Sequence, residues 1–211
     1  MPKTAGYILF VVVLAATAFG QPPTIPVEPA RVPAGATGRT VLVHLPQQLF
    51  NEQEFEPTLR GLSLAGVETR LAALDSGVAV SMSQLVVRLD LELCDINVAD
   101  YAGLVLIGGS GAAVYWDDSL LQAKCREFAA SGKVVAAIGI APVTLARAGV
   151  LKDRRATVFR DRTTVDWLRQ AGAKHSFNGV VADGNVITAA SSEQARVFGQ
   201  AVANAVLNPR N

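Results

Sequence analysis

The sequence lacks an excess of charge of either sign. Its 211 residues include 19 Lys and Arg against 18 Asp and Glu, and Lys3 is the only charged residue among the first 20. The remainder of the chain is therefore formally neutral and has no long-range field that would attract phosphate backbones or anionic lipids. We expect from this balance that the protein does not bind nucleic acid.

Aromatic residues, histidine and cysteine are also scarce. Aromatic residues make up 6% of the chain and hydrophobic residues 50%, a balance that fits one globular domain and excludes a disordered chain. The two histidines, His44 and His175, stand apart from each other and from the cysteines. Because metal sites need several such ligands at short spacing, we expect no metal site. We expect no cofactor either.

The N-terminus has the pattern of a secretory signal peptide. Lys3 precedes an apolar run from Ala5 to Ala18, and small residues end the run at Gly20. A positive start, a short apolar run and a small-residue step are the parts of such a signal, so residues 1–20 are predicted to direct export to the periplasm or the extracellular space. Two alternatives stay open: a buried element of the domain, and a retained membrane anchor, for which the run is at the short end.

A proline-rich segment follows the predicted signal. Five prolines fall between Gln21 and Gly38, and the segment shows no apolar period. Proline at this density favours extended chain and cannot join the interior of a sheet. The pattern therefore predicts a linker over residues 21–38 and a single domain over residues 39–208.

The two cysteines allow two interpretations. Export would place Cys94 and Cys125 in an oxidising compartment, where a disulfide can form. Against a disulfide, Cys125 shares the core face of a predicted helix with Leu121 and Phe128. Cys94 lies on the opposite side of a predicted strand from its neighbouring leucines. We therefore favour two unpaired thiols that pack as small residues.

Strand-like and helix-like segments alternate from residue 40 onward. This alternation, with helices short enough to be crossovers, is typical of an α/β domain with an open, mostly parallel sheet and helices on both faces. Ligands bind beyond the carboxyl ends of the strands in such sheets, which here are Gly108-Gly109 and Gly139-Ile140. The predicted strands are 40–44, 67–74, 104–107, 134–138, 156–159, 180–181 and 186–187, with a hairpin or meander over 78–93. The predicted helices are 54–65, 117–131, 142–148, 165–171 and 193–207.

Four segments in order resemble the ThiJ/PfpI family, within the class I glutamine-amidotransferase-like superfamily. The resemblance covers residues 40 to 207 and implies a flavodoxin-like α/β fold. Members of that family are commonly dimers, so it also implies a homodimer. The four segments are Asp100-Tyr101-Ala102-Gly103-Leu104-Val105-Leu106-Ile107-Gly108-Gly109, Gly132-Lys133-Val134-Val135-Ala136-Ala137-Ile138, Ala146-Arg147-Ala148-Gly149-Val150-Leu151 and Asp183-Gly184-Asn185-Val186-Ile187-Thr188.

The segment Ala137-Ile138-Gly139-Ile140-Ala141-Pro142 departs from that family at its nucleophile. Family members commonly have A-I-C-H-G-P or A-I-C-x-x-P here, so Gly139 replaces the cysteine and Ile140 a frequent histidine. The thiolate is the attacking group in such chemistry, and glycine has none. The tight turn favours φ > 0, which glycine adopts without a Cβ penalty. We therefore predict an intact turn, with positive φ at Gly139, that has lost its nucleophile.

Three more residues match site positions of the family. Glu54 matches a carboxylate at the start of a helix, and we expect it close to the Gly139 backbone, within reach of one water. Gly108 and Gly109 match the amides that form half of the oxyanion hole. The alternatives are a solvent-facing glutamate and glycines that only shape a turn. His175 is interpreted as a surface residue, and Phe159 stands closest to the position where some relatives have a histidine.

Three functions remain open from the sequence. The first is an exported, non-catalytic protein that binds a small ligand or a protein partner at a pocket formed by Glu54, Gly108, Gly109, Gly139 and Ile140. The second is a cysteine-independent hydrolase, hydratase or glyoxalase-type enzyme that uses Glu54 and ordered water. The third is a purely structural envelope protein.

Overall fold

The computed structural model describes residues 39–209, and its first element is a buried strand of β-branched and aliphatic residues. The predicted signal peptide (1–20) and linker (21–38) lie outside the described residues. The strands are β1 (Thr40–His44), β2 (Gln48–Phe50), β3 (Glu68–Ala73), β4 (Val78–Ser81), β5 (Val86–Arg88), β6 (Leu91–Glu92), β7 (Gly103–Leu106), β8 (Val134–Ile138), β9 (Arg155–Ala156), β10 (Lys174–His175), β11 (Val180–Asp183) and β12 (Val186–Ala189). The helices are α1 (Glu52–Leu64), α2 (Ser119–Ala130), α3 (Pro142–Arg147), α4 (Arg162–Gln170) and α5 (Ala195–Leu207).

A seven-stranded sheet runs through the domain in the order β11-β12-β8-β7-β1-β3-β6. All of its neighbouring pairs are parallel except β11 and β12, which form an antiparallel hairpin. Smaller sheets pair β2, β4 and β5, and β9 with β10. The predicted α/β fold with a mostly parallel sheet is thereby confirmed.

Helices cover both faces of the sheet, as the alternating pattern predicts. On one face, α1 and α5 pack over Val41 and Val43 through side chains that include Phe55 and Phe198. On the other face, α2, α3 and α4 pack over Leu42 and its neighbours. Successive residues of a strand point to opposite faces, which is why β1 needs an apolar residue at nearly every position.

The start of α1 is fixed by a cap that the sequence reading missed. Asn51 precedes the helix with an extended backbone, and its side chain accepts a hydrogen bond from the Gln53 amide at 3.0 Å. Asparagine in this role satisfies an amide that has no partner inside the helix. The helix therefore begins at Glu52, two residues before the predicted start, and Glu54 lies in its first turn.

Two other expectations need correction. The predicted strand over 156–159 ends at Ala156, because the Thr157 amide donates to the Thr188 side chain at 2.9 Å instead of to a strand carbonyl. His175 is partly buried and not a surface residue, and both of its ring nitrogens lie buried without a hydrogen-bond partner among residues 39–209.

The cysteines are unpaired, as predicted, but only Cys125 packs in the core. Cys94 is exposed, so its predicted packing as a small residue is wrong. Within the part of the chain that the structure describes, none of the helices is both long enough and apolar enough to cross a membrane.

Candidate functional site

The turn after β8 has the backbone that the sequence predicts. β7 and β8 are parallel neighbours, so Gly108 and Gly139 follow adjacent strand ends. Gly139 has φ of 67°, which confirms the predicted positive value. Its amide donates to the Ala189 carbonyl at 3.1 Å and its carbonyl accepts from the Phe159 amide at 2.8 Å. These two bonds tie the turn, which we call the elbow (residues 138–142), to β12 and to the chain after β9.

Glu54 reaches the elbow from the first turn of α1. Its side chain is only 4% exposed. Oε2 accepts a hydrogen bond from the Gly108 amide at 2.9 Å, and Oε1 accepts one from Asn51 Nδ2 at 3.2 Å. The Asn51 amide also donates to the Gly108 carbonyl at 3.1 Å. The residue that caps α1 thus also fixes the carboxyl group against the strand end.

The Glu54 carboxyl group occupies the space that a side chain at residue 139 would need. A Cβ built on Gly139 overlaps Oε1 and lies 2.8 Å from Cδ. A Cβ on Gly108 would lie 2.6 Å from Oε2. The predicted proximity of Glu54 to the Gly139 backbone is confirmed, and the contact is direct, without room for an intervening water. Both glycines are needed for the carboxyl group to approach this closely.

Burial makes the Glu54 carboxyl group a weaker acid than an ordinary glutamate. Removal of the carboxyl group from water raises its pKa from 4.5 to about 7, although the hydrogen bonds from the Gly108 amide and Asn51 act in the opposite direction. The group therefore exchanges its proton near neutral pH. A pKa in this range is suited to general acid–base work or to a ligand contact that depends on protonation.

The predicted backbone donors differ in their availability. The Gly108 amide is engaged by Glu54. The Gly109 and Ile140 amides have no hydrogen-bond partner among residues 39–209. Gly109 has φ of 101°, and a Cβ there would overlap the Leu49 carbonyl and the Asn51 amide, so glycine is required for packing as well. The structure brings all five predicted site residues together; that they bind a ligand stays a prediction.

Both tryptophans of the chain lie beside the elbow, which the sequence did not indicate. Trp116 Nε1 donates to the Ile140 carbonyl at 3.2 Å. The rings of Trp116 and Trp167 meet edge to face with centroids 4.8 Å apart. The Arg147 guanidinium lies 5.8 Å and 5.2 Å from the two centroids and also pairs with Asp117. The indole fluorescence of this protein therefore reports on the elbow.

A cavity of about 170 Å³ adjoins the elbow on the side of β12 and the start of α5. Phe159 and Ala190 both line this cavity. The Phe159 amide donates to the Gly139 carbonyl, and Ala190 follows Ala189, whose carbonyl accepts from the Gly139 amide. The sequence pointed to this region only through Phe159. The full lining is Phe159, Arg160, Ala190, Ser191, Glu193 and Gln194.

His44 is a second buried titratable group near the strand ends. It ends β1 and is 2% exposed, and burial lowers its pKa to about 3. Its ring meets Tyr115 edge to face at 5.2 Å, and Nε2 has no hydrogen-bond partner among the described residues. We expect this histidine to be neutral in the folded protein at any physiological pH.

Glu92, Cys94 and Asp95 form a surface group whose ligand atoms lie within 4.8 Å of one another. Exposed acidic residues often cluster in this way, and Cys94 Sγ hydrogen-bonds both carboxylates at 3.7 Å. The group has no contact with the elbow residues, and we assign it no role.

Comparisons with known proteins find similar sequences and a similar fold. An uncharacterized protein from Methanocaldococcus jannaschii is 36% identical over 169 residues, which are 80% of this chain and 82% of that protein. Deglycase PfpI from Pyrococcus furiosus is 29% identical over 139 residues, 66% of this chain and 82% of that protein. The crystal structure of a ThiJ/PfpI domain protein from Brachyspira murdochii has a TM-score of 0.78 at 25% identity, and covers 83% of this chain and 99% of that one.

A family profile decides the assignment. It is that of the DJ-1/PfpI family, and it matches residues 39–205, almost the whole described domain. The match includes α1 with Glu54 and the elbow with Gly139. The chain belongs to the DJ-1/PfpI family.

Proposed function

We propose that this chain is an exported DJ-1/PfpI protein that has lost cysteine-based catalysis and binds a small ligand at the elbow. The observation that carries the proposal is the Glu54 carboxyl group, which fills the space where a nucleophilic side chain at residue 139 would begin. The Gly109 and Ile140 amides supply donors for a carbonyl or carboxylate oxygen. Export rests on the sequence pattern of residues 1–20, and the homodimer rests on the family resemblance.

Neither cysteine of the chain is a substitute nucleophile. Burial raises the pKa of the Cys125 thiol to about 12. Desolvation and the carboxylates of Asp95 and Glu92 raise the pKa of Cys94. Only the thiolate attacks, so both thiols are weak nucleophiles at neutral pH. This supports a function that does not pass through a covalent thiol intermediate.

The second candidate is a cysteine-independent enzyme that uses Glu54. Its support is the raised pKa of this carboxyl group, which matches the range in which general acids and bases are most effective. Relatives named as deglycases give the class of carbonyl chemistry to test. A water activated by Glu54 would have to enter beside the carboxyl group, whose two oxygens already accept hydrogen bonds from Gly108 and Asn51.

The two candidates separate in one experiment on wild type, Glu54→Gln and Glu56→Gln. Glu56 is an exposed residue on the same helix and serves as the matched control. Small aldehydes, esters and carboxylic acids are screened by tryptophan fluorescence for binding and by product analysis for turnover, with glyoxal as the aldehyde probe. We expect saturable binding that Glu54→Gln weakens at least tenfold, and no turnover.

Two results would overturn the proposal. Turnover by wild type that Glu54→Gln abolishes and Glu56→Gln preserves would establish the enzyme instead. Absence of both binding and turnover for every probe would favour a purely structural protein.

A further inference from the structure

The cavity beside the elbow carries two opposite charges that do not neutralise each other. Arg160 and Glu193 both line it, and both are exposed to solvent. Neither forms an ion pair with the other or with any other residue within 39–209. The cavity therefore offers a ligand one unpaired side chain of each sign.

Both charged side chains are held near the cavity by neighbouring groups. Arg160 Nη2 donates to the Phe177 carbonyl at 2.6 Å. On the other side, Gln194 Nε2 donates to Glu193 Oε2 at 3.5 Å, and Gln194 Oε1 accepts from the Ser191 hydroxyl at 2.8 Å. The guanidinium still has free donors, because one nitrogen alone is engaged by a carbonyl, and Glu193 Oε1 is free to accept.

The rest of the cavity is small and mixed in polarity. Phe159, which is 48% exposed, and Ala190, which is 4% exposed, line it beside Ser191 and Gln194, whose side chains bond each other. The volume of about 170 Å³ is below the roughly 300–1,000 Å³ of pockets that hold drug-sized ligands. The occupant is therefore a molecule of few heavy atoms with an apolar part and two charges.

We propose that this cavity binds a free α-amino acid with a small apolar side chain, as the zwitterion. Its carboxylate contacts Arg160, its ammonium group contacts Glu193, and its side chain packs on Phe159. This assignment rests on the proposed function, because it names the class of small ligand that would bind beside the elbow. A ligand with one charge would leave the other protein charge unmatched, so the selectivity comes from the pair.

The cavity connects directly to the elbow. Phe159 donates its amide to the Gly139 carbonyl, and the Ala189 carbonyl accepts from the Gly139 amide. Because the elbow carbonyl of Ile140 is bonded to Trp116, occupancy of the cavity is expected to change indole fluorescence. The same bonds make the backbone of residue 139 sensitive to the ligand.

The test uses three compounds of matched skeleton: L-alanine with both charges, propanoate with the carboxylate alone, and alaninamide with the ammonium alone. Calorimetric titration measures their affinities for wild type, Arg160→Gln and Glu193→Gln. We expect alanine to bind wild type at least tenfold more tightly than either partner compound. Arg160→Gln should weaken the binding of alanine and propanoate and leave that of alaninamide unchanged. Glu193→Gln should weaken the binding of alanine and alaninamide and leave that of propanoate unchanged.

Arg162→Gln and Glu56→Gln are the controls, since both side chains are exposed and outside the cavity. The assignment would be overturned if wild type bound the three compounds with equal affinity or bound none of them. It would also be overturned if the two cavity variants bound all three as tightly as wild type does. A probe whose binding is lost in Glu54→Gln but not in the cavity variants would support the elbow pocket and reject the amino acid. The opposite pattern would support the cavity and reject the elbow as the binding site.

Discussion

The two edges of the central sheet differ in what their polar groups do. At the amino ends of β8 and β12 lies a cleft of about 860 Å³, and at the carboxyl ends the cavity is only about 170 Å³. In the larger cleft the Lys133 ammonium group donates to the Ala99 carbonyl at 3.0 Å, and Asn185 Nδ2 donates to the Lys133 carbonyl at 2.8 Å. These polar groups are already satisfied by backbone. At the carboxyl edge, Arg160 and Glu193 have no partner of opposite charge within residues 39–209.

Volume alone would therefore select the amino edge, whereas chemistry selects the carboxyl edge. The carboxyl edge combines a buried carboxyl group of raised pKa with a positive φ at Gly139. Perturbed acidity concentrates at functional sites, although structural groups can show it as well. The buried carboxyl group is what distinguishes the two edges, because glycines with positive φ occur at both.

The comparison would be sharpened most by Gly139→Cys. The new Cβ overlaps the Glu54 carboxyl group and enters a positive-φ backbone. We expect the free energy of unfolding to fall by about 2–5 kcal/mol, from strain and overpacking together. The thiol should be alkylated faster than Cys94 or Cys125, because a helix N-terminus and a hydrogen-bond donor favour the thiolate.

Gly132→Cys is the control for this substitution. Gly132 also has positive φ, at 74°, but a Cβ there meets nothing within 4 Å. It should lose only the cost of the backbone conformation, about 1 kcal/mol, as measured by urea unfolding. If the two variants were equally stable, the contact with Glu54 would cost nothing. The conclusion that the Glu54 carboxyl group fills the space beside Gly139 would then be wrong.

The shifted pKa values of Glu54 and His44 predict how stability depends on pH. The folded state keeps the Glu54 proton between pH 4.5 and 7 while the unfolded state releases it, so this group makes stability fall as pH rises through that window. His44 acts in the opposite sense between pH 3 and 6.5, where only the unfolded state binds its proton. The two slopes, each about 1.4 kcal/mol per pH unit, oppose each other between pH 4.5 and 6.5.

Glu54→Gln removes one of these slopes. Relative to wild type, its free energy of unfolding should rise by about 1.4 kcal/mol per pH unit from pH 4.5 to 6.5, because the variant lacks the opposing contribution of the Glu54 carboxyl group. Urea unfolding at several pH values measures this. A Glu54→Gln profile parallel to that of wild type would mean that the Glu54 carboxyl group is not buried in the folded protein.

Trp116→Phe should have a smaller effect. It removes the hydrogen bond to the Ile140 carbonyl but keeps an aromatic ring against Trp167. We expect a loss of about 1 kcal/mol in stability and a several-fold weaker ligand affinity, because the elbow is less well fixed. Unchanged ligand affinity would show that the elbow needs no support from this side.

Lys133→Met, at the amino edge, should change least. It removes hydrogen bonds to the Val98 and Ala99 carbonyls at a partly exposed position, so we expect less than about 1 kcal/mol of destabilisation and no change in ligand affinity. Weakened binding in this variant would break the contrast between the two edges.

The sequence predicted the elbow because its information is local. Gly139 and Pro142 stand in one short segment, and the family resemblance placed Glu54 against it. The cavity could not be predicted, because Arg160 and Glu193 are 33 positions apart in the sequence and only the fold brings them to one cavity. The burial of His44 was missed for a similar reason: its partner Tyr115 comes from a 3₁₀ turn after β7. Packing across distant elements leaves no short pattern in the chain.

The most direct test of the filled elbow is an NMR titration of the Glu54 side-chain carbonyl carbon in wild type. The structure predicts a midpoint near pH 7, because the carboxyl group is buried against Gly139 and Gly108. A Glu54 midpoint of about pH 4.3, the ordinary value for a glutamate in water, would place the carboxyl group in solvent and contradict the account.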